Sequence, residues 1–355
     1  MSSLKQRHIP LFIEPTAEVS QHTLIIAEIG VNHDGCPKKA VELLHAAHEA
    51  GADMVKFQLF HPDRLLSSQA QLAGYQAGKA ADAYELLSSL TLSTQELTGI
   101  LLEADRLGVM RAVTPFSLQD VDDLGQIGAG LVSAVKLASP DAVNGPLLSK
   151  AAGLGLPLLI STGTCELQEL DYAAQMIRSH SVGGALLHCV SSYPTPLPEA
   201  GLKAIEVMRD RFGLPIGYSD HTQSVSTGAM AVCAGACVIE KHLTYDQNAA
   251  GPDHAASMEP SDFALYVKQI REAEVMMGLR FKGVREVERD VRLVSRQSVA
   301  AANVLTAGQV IESADLTVMR PGTGVPAMRF DEVIGKQIKI DKQVGELIHE
   351  EDVAW

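Results

Sequence analysis

Between residues 24 and 277 the chain alternates short, continuous apolar runs with longer segments of helical period, and it does so eight times. The apolar runs lie at 24–27, 54–58, 109–114, 134–138, 158–161, 185–190, 216–219 and 238–241. Helical segments follow at about 37–50, 94–107, 118–127, 145–152, 166–179, 202–212, 224–234 and 261–277. A strand that is apolar along its whole length is buried on both faces, as in a parallel sheet covered by helices. Eight such units closed on themselves make a (β/α)8 TIM barrel of ordinary size. The runner-up is an open doubly wound sheet, which requires a Gly-rich phosphate turn after one strand, and no clear one is visible. The polar stretch 61–92 is too long for an ordinary connection and predicts short helices of its own or a functional loop. Ser93, with Glu96 three residues on, reads as a capping box opening the helix at 94. Residues 9–22, with Pro10 and Pro15, read as a short lid or hairpin.

After Met277 the alternation stops. At 355 residues the chain suits one large domain plus a small one. The expected division is a barrel domain over 1–279, a charged linker compatible with helix over 280–296, and a small β-rich domain over 297–355. The last carries β-like pieces at 298–304, 309–311, 316–319 and 337–340, separated by Gly, Pro and Asp. A net charge of −14, from 29 basic and 43 acidic residues, argues against a nucleic-acid partner, which needs a broad basic face. It leaves an anionic small substrate open, because a pocket can be locally positive. Five scattered cysteines do not make a disulfide framework. Cys233 and Cys237, four apart in an Ala-rich stretch, read as one face of a buried helix, with zinc as the lesser alternative. The polar N-terminus lacks the apolar core of a signal peptide. No run approaches the roughly 20 apolar residues of a membrane span. A reduced, cytoplasmic protein is expected.

Barrels of this kind place their chemistry at the C-terminal ends of the strands. In chain order those ends offer Glu28, Asn32, His33, Lys56, Gln58, Thr114, Lys136, Ser139, Asp141, Ser161, Thr162, His188, Ser191, Ser192 and Tyr193. Strands seven and eight add Ser219, Asp220, His221, Glu240, Lys241 and His242, and the last loop adds Asp253 and His254. Charges inside apolar strands are costly unless paired or functional. Lys56 and Lys136 are therefore either internal ion pairs or, with hydroxyls at Thr114, Ser139 and Ser219, a cradle for phosphate or carboxylate. A lone strand-end histidine is usually structural. Two at matching positions of consecutive strands, His221 and His242, favour a divalent metal with open positions. Glu28, across the barrel, is placed to orient a metal-bound water. His188, inside a strand run, reads as a satisfied core histidine. Cys189 reads as small core filler, since no activating base is evident beside it. The pair Met276-Met277 reads as core packing on the eighth helix.

The motifs Ala27-Glu-Ile-Gly-Val-Asn-His-Asp-Gly35, Lys56-Phe-Gln58, Thr114-Pro-Phe116, Lys136-Leu-Ala-Ser139, Ser161-Thr-Gly163, Leu187-His-Cys189, Tyr193-Pro194, Ser219-Asp-His-Thr222, Glu240-Lys-His242 and Gly251-Pro-Asp-His254 occur in one order along the chain. In that combination the sequence resembles the sialic acid synthase family, the NeuB-type nonulosonate synthases. Gln297-Ser-Val-Ala-Ala301, Ala307-Gly-Gln309 and Arg320-Pro-Gly-Thr-Gly-Val-Pro326 resemble the family's C-terminal antifreeze-like (SAF, β-clip) domain. The resemblance implies condensation of phosphoenolpyruvate (PEP) with an open-chain N-acylhexosamine, giving a nine-carbon 3-deoxy-ulosonate and phosphate. It implies Mn2+ or Mg2+ on His221 and His242, with Glu28 in water orientation or acid–base work. Lys56, Thr114, Lys136, Ser139 and Ser219 match positions that hold PEP. Gln58, Tyr193 and Asp253 match positions near the sugar. Arg320 matches an arginine reaching the acyl group in the partner subunit's site, which implies a domain-swapped homodimer. Asp141 stands where well-known members have Glu, and Ser191 where they have Asn, so the resemblance leaves the sugar open among N-acetylmannosamine, legionaminate-type, pseudaminate-type and spore-coat precursors. A reading from another class is a non-catalytic carbohydrate- or ice-binding protein, resting on the C-terminal domain alone.

Overall fold

The structure is a computed structural model and describes residues 22–67, 69, 82–128, 130–278 and 282–355. The lid or hairpin expected at 9–22 lies outside the described residues, save His22. The chain forms two compact units divided after Gly278.

In the first unit the strands are β1 (Leu24–Gly30), β2 (Met54–Leu59), β3 (Met110–Pro115), β4 (Ala134–Leu137), β5 (Leu158–Ser161), β6 (Gly184–Cys189), β7 (Ile216–Asp220) and β8 (Val238–His242). They form a closed barrel in sequential order, every neighbour parallel. The helices are α1 (Pro37–Glu49), α2 (Pro62–Leu65), α3 (Ala83–Leu90), α4 (Thr94–Leu107), α5 (Leu118–Ile127), α6 (Gly145–Ala152), α7 (Asp171–Ser179), α8 (Ala204–Phe212), α9 (Thr227–Cys233) and α10 (Pro260–Met277). The capping box at α4 is formed. Ser93 Oγ accepts from the Glu96 amide at 3.2 Å, and Glu96 accepts from the Ser93 amide at 2.8 Å.

Side chains alternate across a strand, so every second residue enters the barrel. Toward the N-terminal ends the inward set is apolar: Leu24, Ile26, Met54, Ala112, Ala134, Leu159, Ala185, Leu187 and Val238. These plug the barrel from below. One inward step further along, the residues become Glu28, Lys56, Thr114, Lys136, Ser161, Cys189, Ser219 and Glu240, all buried. The outward set packs against the helices in the larger core, which includes Tyr218, Ile239, Phe263 and Tyr266.

The same alternation corrects the sequence reading of Asp220 and Lys241. Both point outward. Lys241 Nζ donates to the Asp220 carbonyl at 3.3 Å and lies 3.8 Å from its carboxylate, which also accepts from Tyr266 Oη at 2.8 Å. They form a buried link between barrel and helices and do not reach the mouth. The Met276-Met277 pair is also corrected: the residues are 78% and 53% exposed, at the end of α10 beyond its buried face. Cys233 and Cys237 do not share a helix. Cys233 is exposed at the end of α9, while Cys237 lies beyond the break at Ala234–Gly235, where its thiol contacts the Ile216 carbonyl at 3.3 Å.

The second unit contains α11 (Arg289–Ser295), β9 (Ser298–Ala301), β10 (Leu316–Met319), α12 (Phe330–Val333), β11 (Gln337–Ile338) and β12 (Val353–Ala354). β9 pairs antiparallel with β10, and β11 with β12. The strand expected at 309–311 is only a single bridge, Val310 to Gln337, and β12 escapes the sequence reading because it is two residues long. A small apolar cluster around Val299, Leu305, Val325, Ile338 and Ile348 forms its core.

Candidate active site

At the C-terminal mouth of the barrel lies a cavity of about 440 Å³. Its floor is a lattice of buried charges. Lys56 Nζ lies 3.3 Å from Glu28 Oε1 and 3.2 Å from Glu240 Oε2. Lys136 Nζ donates to Ser161 Oγ at 2.6 Å and to the Leu137 carbonyl at 3.0 Å, and lies 3.8 Å from Glu240 Oε1. Ser219 Oγ donates to Glu240 at 2.9 Å, and Gln58 Nε2 to Glu28 Oε1 at 2.8 Å. Each lysine is thus ion-paired, as the first reading expects, and each also lines the cavity, where the second would have it hold an anion. Gly30 closes this corner at φ +51°, where a Cβ would fall 2.6 Å from Glu28 Oε1 and 2.9 Å from Gln58 Nε2.

Burial and charge tune the four groups apart. Burial pushes the Glu28 carboxyl up to about 7; Lys56 opposes this and Glu240 adds to it. Burial also brings Lys136 down to about 8, against the pull of Glu240. For Glu240 burial works against the charge, but Lys136 and Lys56 prevail and hold it well below the usual carboxylate range. Lys56 is desolvated too, yet Glu240 and Glu28 keep it above its ordinary value. Glu28 and Lys136 therefore stand near neutrality, where a proton moves at little cost.

The floor also has empty acceptor and donor positions. Thr114 Oγ1 and Glu28 Oε2 are buried without a hydrogen-bond partner. Ser139 Oγ accepts from the Gly163 amide at 3.0 Å. A Cβ on Gly163 would lie 2.3 Å from Ser191 Oγ, 2.9 Å from Ser139 Oγ and 3.2 Å from Cys189 Sγ, so these three side chains converge on a space that only glycine leaves open.

His221 and His242 face each other at the same mouth, ring centroids 5.3 Å apart. Nδ1 of His221 lies 3.0 Å from the Val190 carbonyl, so it donates there and leaves the Nε2 lone pair free. Nδ1 of His242 is buried without a hydrogen-bond partner, 3.7 Å from Asp253 Oδ2. Burial, His221 and Lys56 together hold His242 well below the usual histidine range, which keeps it in the neutral, ligating form. At His221 burial disfavours the imidazolium, but charge pairing with the Cys189 sulfur, as thiolate, favours the cation and prevails. Two imidazole lone pairs with a carboxylate at hand suit a divalent ion. Glu28 is not across the barrel, as the sequence reading had it. β8 closes onto β1, and Glu28 sits in register with His242.

The loops around this pair are clamped. Asn32 Nδ2 donates to the Leu243 carbonyl at 2.9 Å and to Ser257 Oγ at 2.8 Å, and Ser257 Oγ donates to the Asp253 carbonyl at 2.7 Å. Asp34, at φ +52°, accepts from Lys39 at 2.7 Å and Tyr245 at 2.6 Å and pairs with His254 Nε2 at 2.9 Å. Asn32 and His254 thus hold the loops after β1 and β8 together, with Asp253 beside His242. The Tyr193 ring lies 4.1 Å from that of His221.

Of the other residues singled out from sequence, His188 behaves as a core histidine, its Nε2 2.9 Å from the Ala200 carbonyl. Cys189 does not stand alone. It lines the cavity, its Sγ 3.7 Å from His221 Nδ1 and 3.5 Å from Ser139 Oγ. Asp141 is outside the cavity lining; its carboxylate accepts from Asn144 at 3.0 Å. Arg320 lies in the second unit, exposed. Glu240, noted only as a charge within a strand, is the hub of the lattice. Sequence reasoning also missed His61, Asp120 and Asp123, whose ligand atoms lie within 4.8 Å of one another, a spacing compatible with a metal. A cation is already supplied there: Arg64 Nη1 lies 2.9 Å from Asp120 and 2.6 Å from Asp123. No spacing in the sequence foretells the whole cluster, because Asp120 and Asp123 lie three apart on α5 while His61 comes from the stretch before α2.

A family model described as the NeuB family matches residues 43–282, and one described as the SAF domain matches 296–354. The N,N'-diacetyllegionaminic acid synthase of Legionella pneumophila is 38% identical over 334 residues, covering 92% of this chain and 93% of that protein. Its counterpart in Campylobacter jejuni is 36% identical, covering 92% and 99%. The crystal structure of an N-acetylneuraminic acid synthetase from Leptospira borgpetersenii, in complex with citrate, superposes with a TM-score of 0.68 at 30% identity, over 76% of this chain and 90% of that one. The NeuB match spans β2 to β8 with both histidines: the chain belongs to the NeuB family and carries a SAF domain at its C-terminal end.

Proposed function

We propose that the protein condenses PEP with an open-chain N-acylhexosamine, forming a nine-carbon 3-deoxy-ulosonic acid and releasing phosphate. The observation that carries this reading is the meeting of two unlike half-sites in one cavity. The buried lysine lattice suits a small anion, and the facing imidazoles suit a divalent cation. Relatives named as N,N'-diacetyllegionaminic acid and N-acetylneuraminate-9-phosphate synthases support the reaction class.

Lys56, Lys136, Thr114, Ser139 and Ser219 hold the phosphate and carboxylate of PEP in this reading. The ammonium groups exchange part of their pairing with Glu28 and Glu240 for the ligand's charges. His221 and His242 hold Mn2+ or Mg2+, which when bound supplies Lewis-acid polarisation of the sugar's carbonyl oxygen. We assign Gln58, Ser191, Tyr193 and Asp253, which line the cavity, and Asp141, which stands outside its lining, to the sugar. Bond formation joins PEP carbon 3 to the aldehyde carbon. Water adds at carbon 2, and phosphate leaves from the adduct. Glu28, with a carboxyl near 7 and an unpartnered Oε2, is the group we assign to take the proton of that water. We further assign Arg320 to the partner subunit's site in a domain-swapped homodimer, and the reaction to the cytoplasm. No helix among the described residues is long and apolar enough to cross a membrane, and the five cysteines are free.

Phosphate release from PEP, measured with a panel of N-acylhexosamines with and without Mn2+, tests the reading. Metal-dependent release with at least one sugar is expected. Folded, Mn2+-loaded protein that releases none with any sugar overturns it. Gly163→Ala tests the anion half. The added methyl meets Ser191, Ser139 and Cys189 and overpacks the floor by about 1–3 kcal/mol. Weaker PEP binding by about ten- to a hundredfold is expected in titration calorimetry, together with a melting temperature lowered by a few degrees. Unchanged PEP affinity places the anion elsewhere.

A further inference from the structure

The buried link behind the barrel wall adjoins both imidazoles in sequence: Asp220 precedes His221, and Lys241 precedes His242. β7 ends at Asp220, in register with Lys241 of β8, and its register with β6 ends one residue earlier, at Ser219. His221 is thus the first residue beyond both ladders. Its backbone is held instead by groups from other places. Lys241 Nζ donates to the Asp220 carbonyl at 3.3 Å and to the Thr222 carbonyl, the two that flank His221. The Thr222 amide donates to Asp220 Oδ1 at 2.8 Å, and the His221 carbonyl accepts from the Thr195 amide at 2.9 Å. Tyr266 Oη anchors the other oxygen of Asp220 to the helix layer. Gly228 of α9 makes room for that ring, since a Cβ there would lie 2.4 Å from Tyr266 Cζ and 2.6 Å from its Oη.

Lys241, Asp220 and Tyr266 are each at most 1% exposed. An ion pair so deep is weak grounds for stability, because desolvation offsets the attraction and apolar residues of like volume often serve as well. What an apolar side chain cannot do is hold two carbonyls. Lys241 acts at both ligand positions: its backbone leads into His242, and its side chain grips the turn that presents His221. A shared ion needs both lone pairs at bond length at once, which asks for ligands held within about 0.5 Å by the groups behind them. We infer that Lys241 is a positioning residue, whose Nζ, by gripping the Asp220 and Thr222 carbonyls, sets the offset of His221 from His242 and with it the affinity for a divalent ion. The inference rests on the assignment of the two imidazoles as ligands and adds the residue that spaces them.

The test separates grip from stability. Lys241→Met keeps the length of the side chain and removes its donor, but leaves the Asp220 carboxylate buried without its cation, so it is expected to melt well below the parent. Adding Asp220→Asn removes that charge. The amide oxygen still accepts from Thr222 and the amide nitrogen can donate to Tyr266 Oη, so the melting temperature is expected to recover in large part. Mn2+ affinity, read by electron paramagnetic resonance, is expected to fall by about ten- to a hundredfold in Lys241→Met and to stay low in the double variant. The double variant carries the test alone where the single one does not fold. PEP affinity measured without metal is expected to match the parent, because Lys56 and Lys136 lie on the inner side of the wall. Tyr266→Phe is the control: it loses one hydrogen bond to Asp220 and melts lower, but keeps the lysine grip and should keep Mn2+ affinity. Mn2+ affinity that returns with the melting temperature in the double variant, that falls as far in Tyr266→Phe, or that falls only together with PEP affinity overturns the positioning role. His221→Ala and His242→Ala test the ligands apart from it. If both keep the parent's Mn2+ affinity, the ligand assignment falls and the positioning role with it. If both lose Mn2+ while the Lys241 variants keep it, the positioning role alone falls.

Discussion

His242→Ala is expected to lower metal-dependent phosphate release by on the order of 10²–10³-fold and to weaken Mn2+ binding, read directly by electron paramagnetic resonance, by more than tenfold. The reason lies in the state of the ring. Its Nδ1 is buried, lacks a hydrogen-bond partner, and is kept neutral by burial and by the cations around it. A buried polar atom left unpaired costs about 1–3 kcal/mol, and such a cost persists where a ligand satisfies the atom. Alanine removes that unsatisfied atom as well as the ring, so the metal-free variant should melt close to the parent, the lost packing being partly offset. His221→Ala should impair turnover similarly but melt lower. That ring also contacts the Val190 carbonyl, the Cys189 thiol and the Tyr193 ring. Mn2+ affinity unchanged in both variants would sink the assignment of the two imidazoles as ligands, whatever happened to turnover.

How far the sequence foretold this site depends on which geometric rule a residue obeys. The barrel was legible because eight predominantly apolar runs admit few other closures, and the strands form where those runs lie. Pleat parity was also legible, though the reading did not use it. Once His242 faces inward, Glu240 must, and Lys241 must not; once His221 does, Ser219 follows and Asp220 turns away. Applied in full, that rule would have placed Glu240 at the centre of the lattice and put Lys241 and Asp220 behind the barrel wall. Contacts between strands obey a different rule. That Cys189 pairs in register with Ser219 and so comes to His221, or that Glu28 stands level with His242, is set by the stagger of the closed barrel, which no single strand encodes. Helix ends failed for a third reason. Met276 and Met277 continue the apolar composition of α10 past the last turn that packs, and composition alone does not say where packing stops.

Glu28→Gln is expected to lower kcat by about 10²–10⁴-fold, the usual worth of a positioned acid–base group, while leaving Mn2+ bound. It should also change how stability depends on pH, and the sign follows from the cause of the shift. The carboxyl titrates near 4.5 when unfolded and near 7 in the folded protein, raised first by burial. Between those values the folded chain keeps a proton that the unfolded chain has lost, so stability falls as pH rises through this window and the loss is complete above about 7. Glutamine cannot titrate and removes that slope. The melting temperature of Glu28→Gln relative to the parent should therefore rise from pH 5 to pH 8. Glu240 contributes in the opposite sense: its folded carboxyl is depressed, so its stabilisation is present above the unfolded value and is lost as pH falls. The two carboxylates share Lys56 and lie on adjacent strands, yet they are pulled apart because Glu240 has two lysines and a hydroxyl while Glu28 has one lysine and an amide. That asymmetry leaves one carboxylate fixed as a counterion and the other free to exchange a proton. A Glu28→Gln protein with full turnover, or with the parent's pH slope of melting, would show that the proton is handled elsewhere, with Lys136, brought down to about 8, the next group to test.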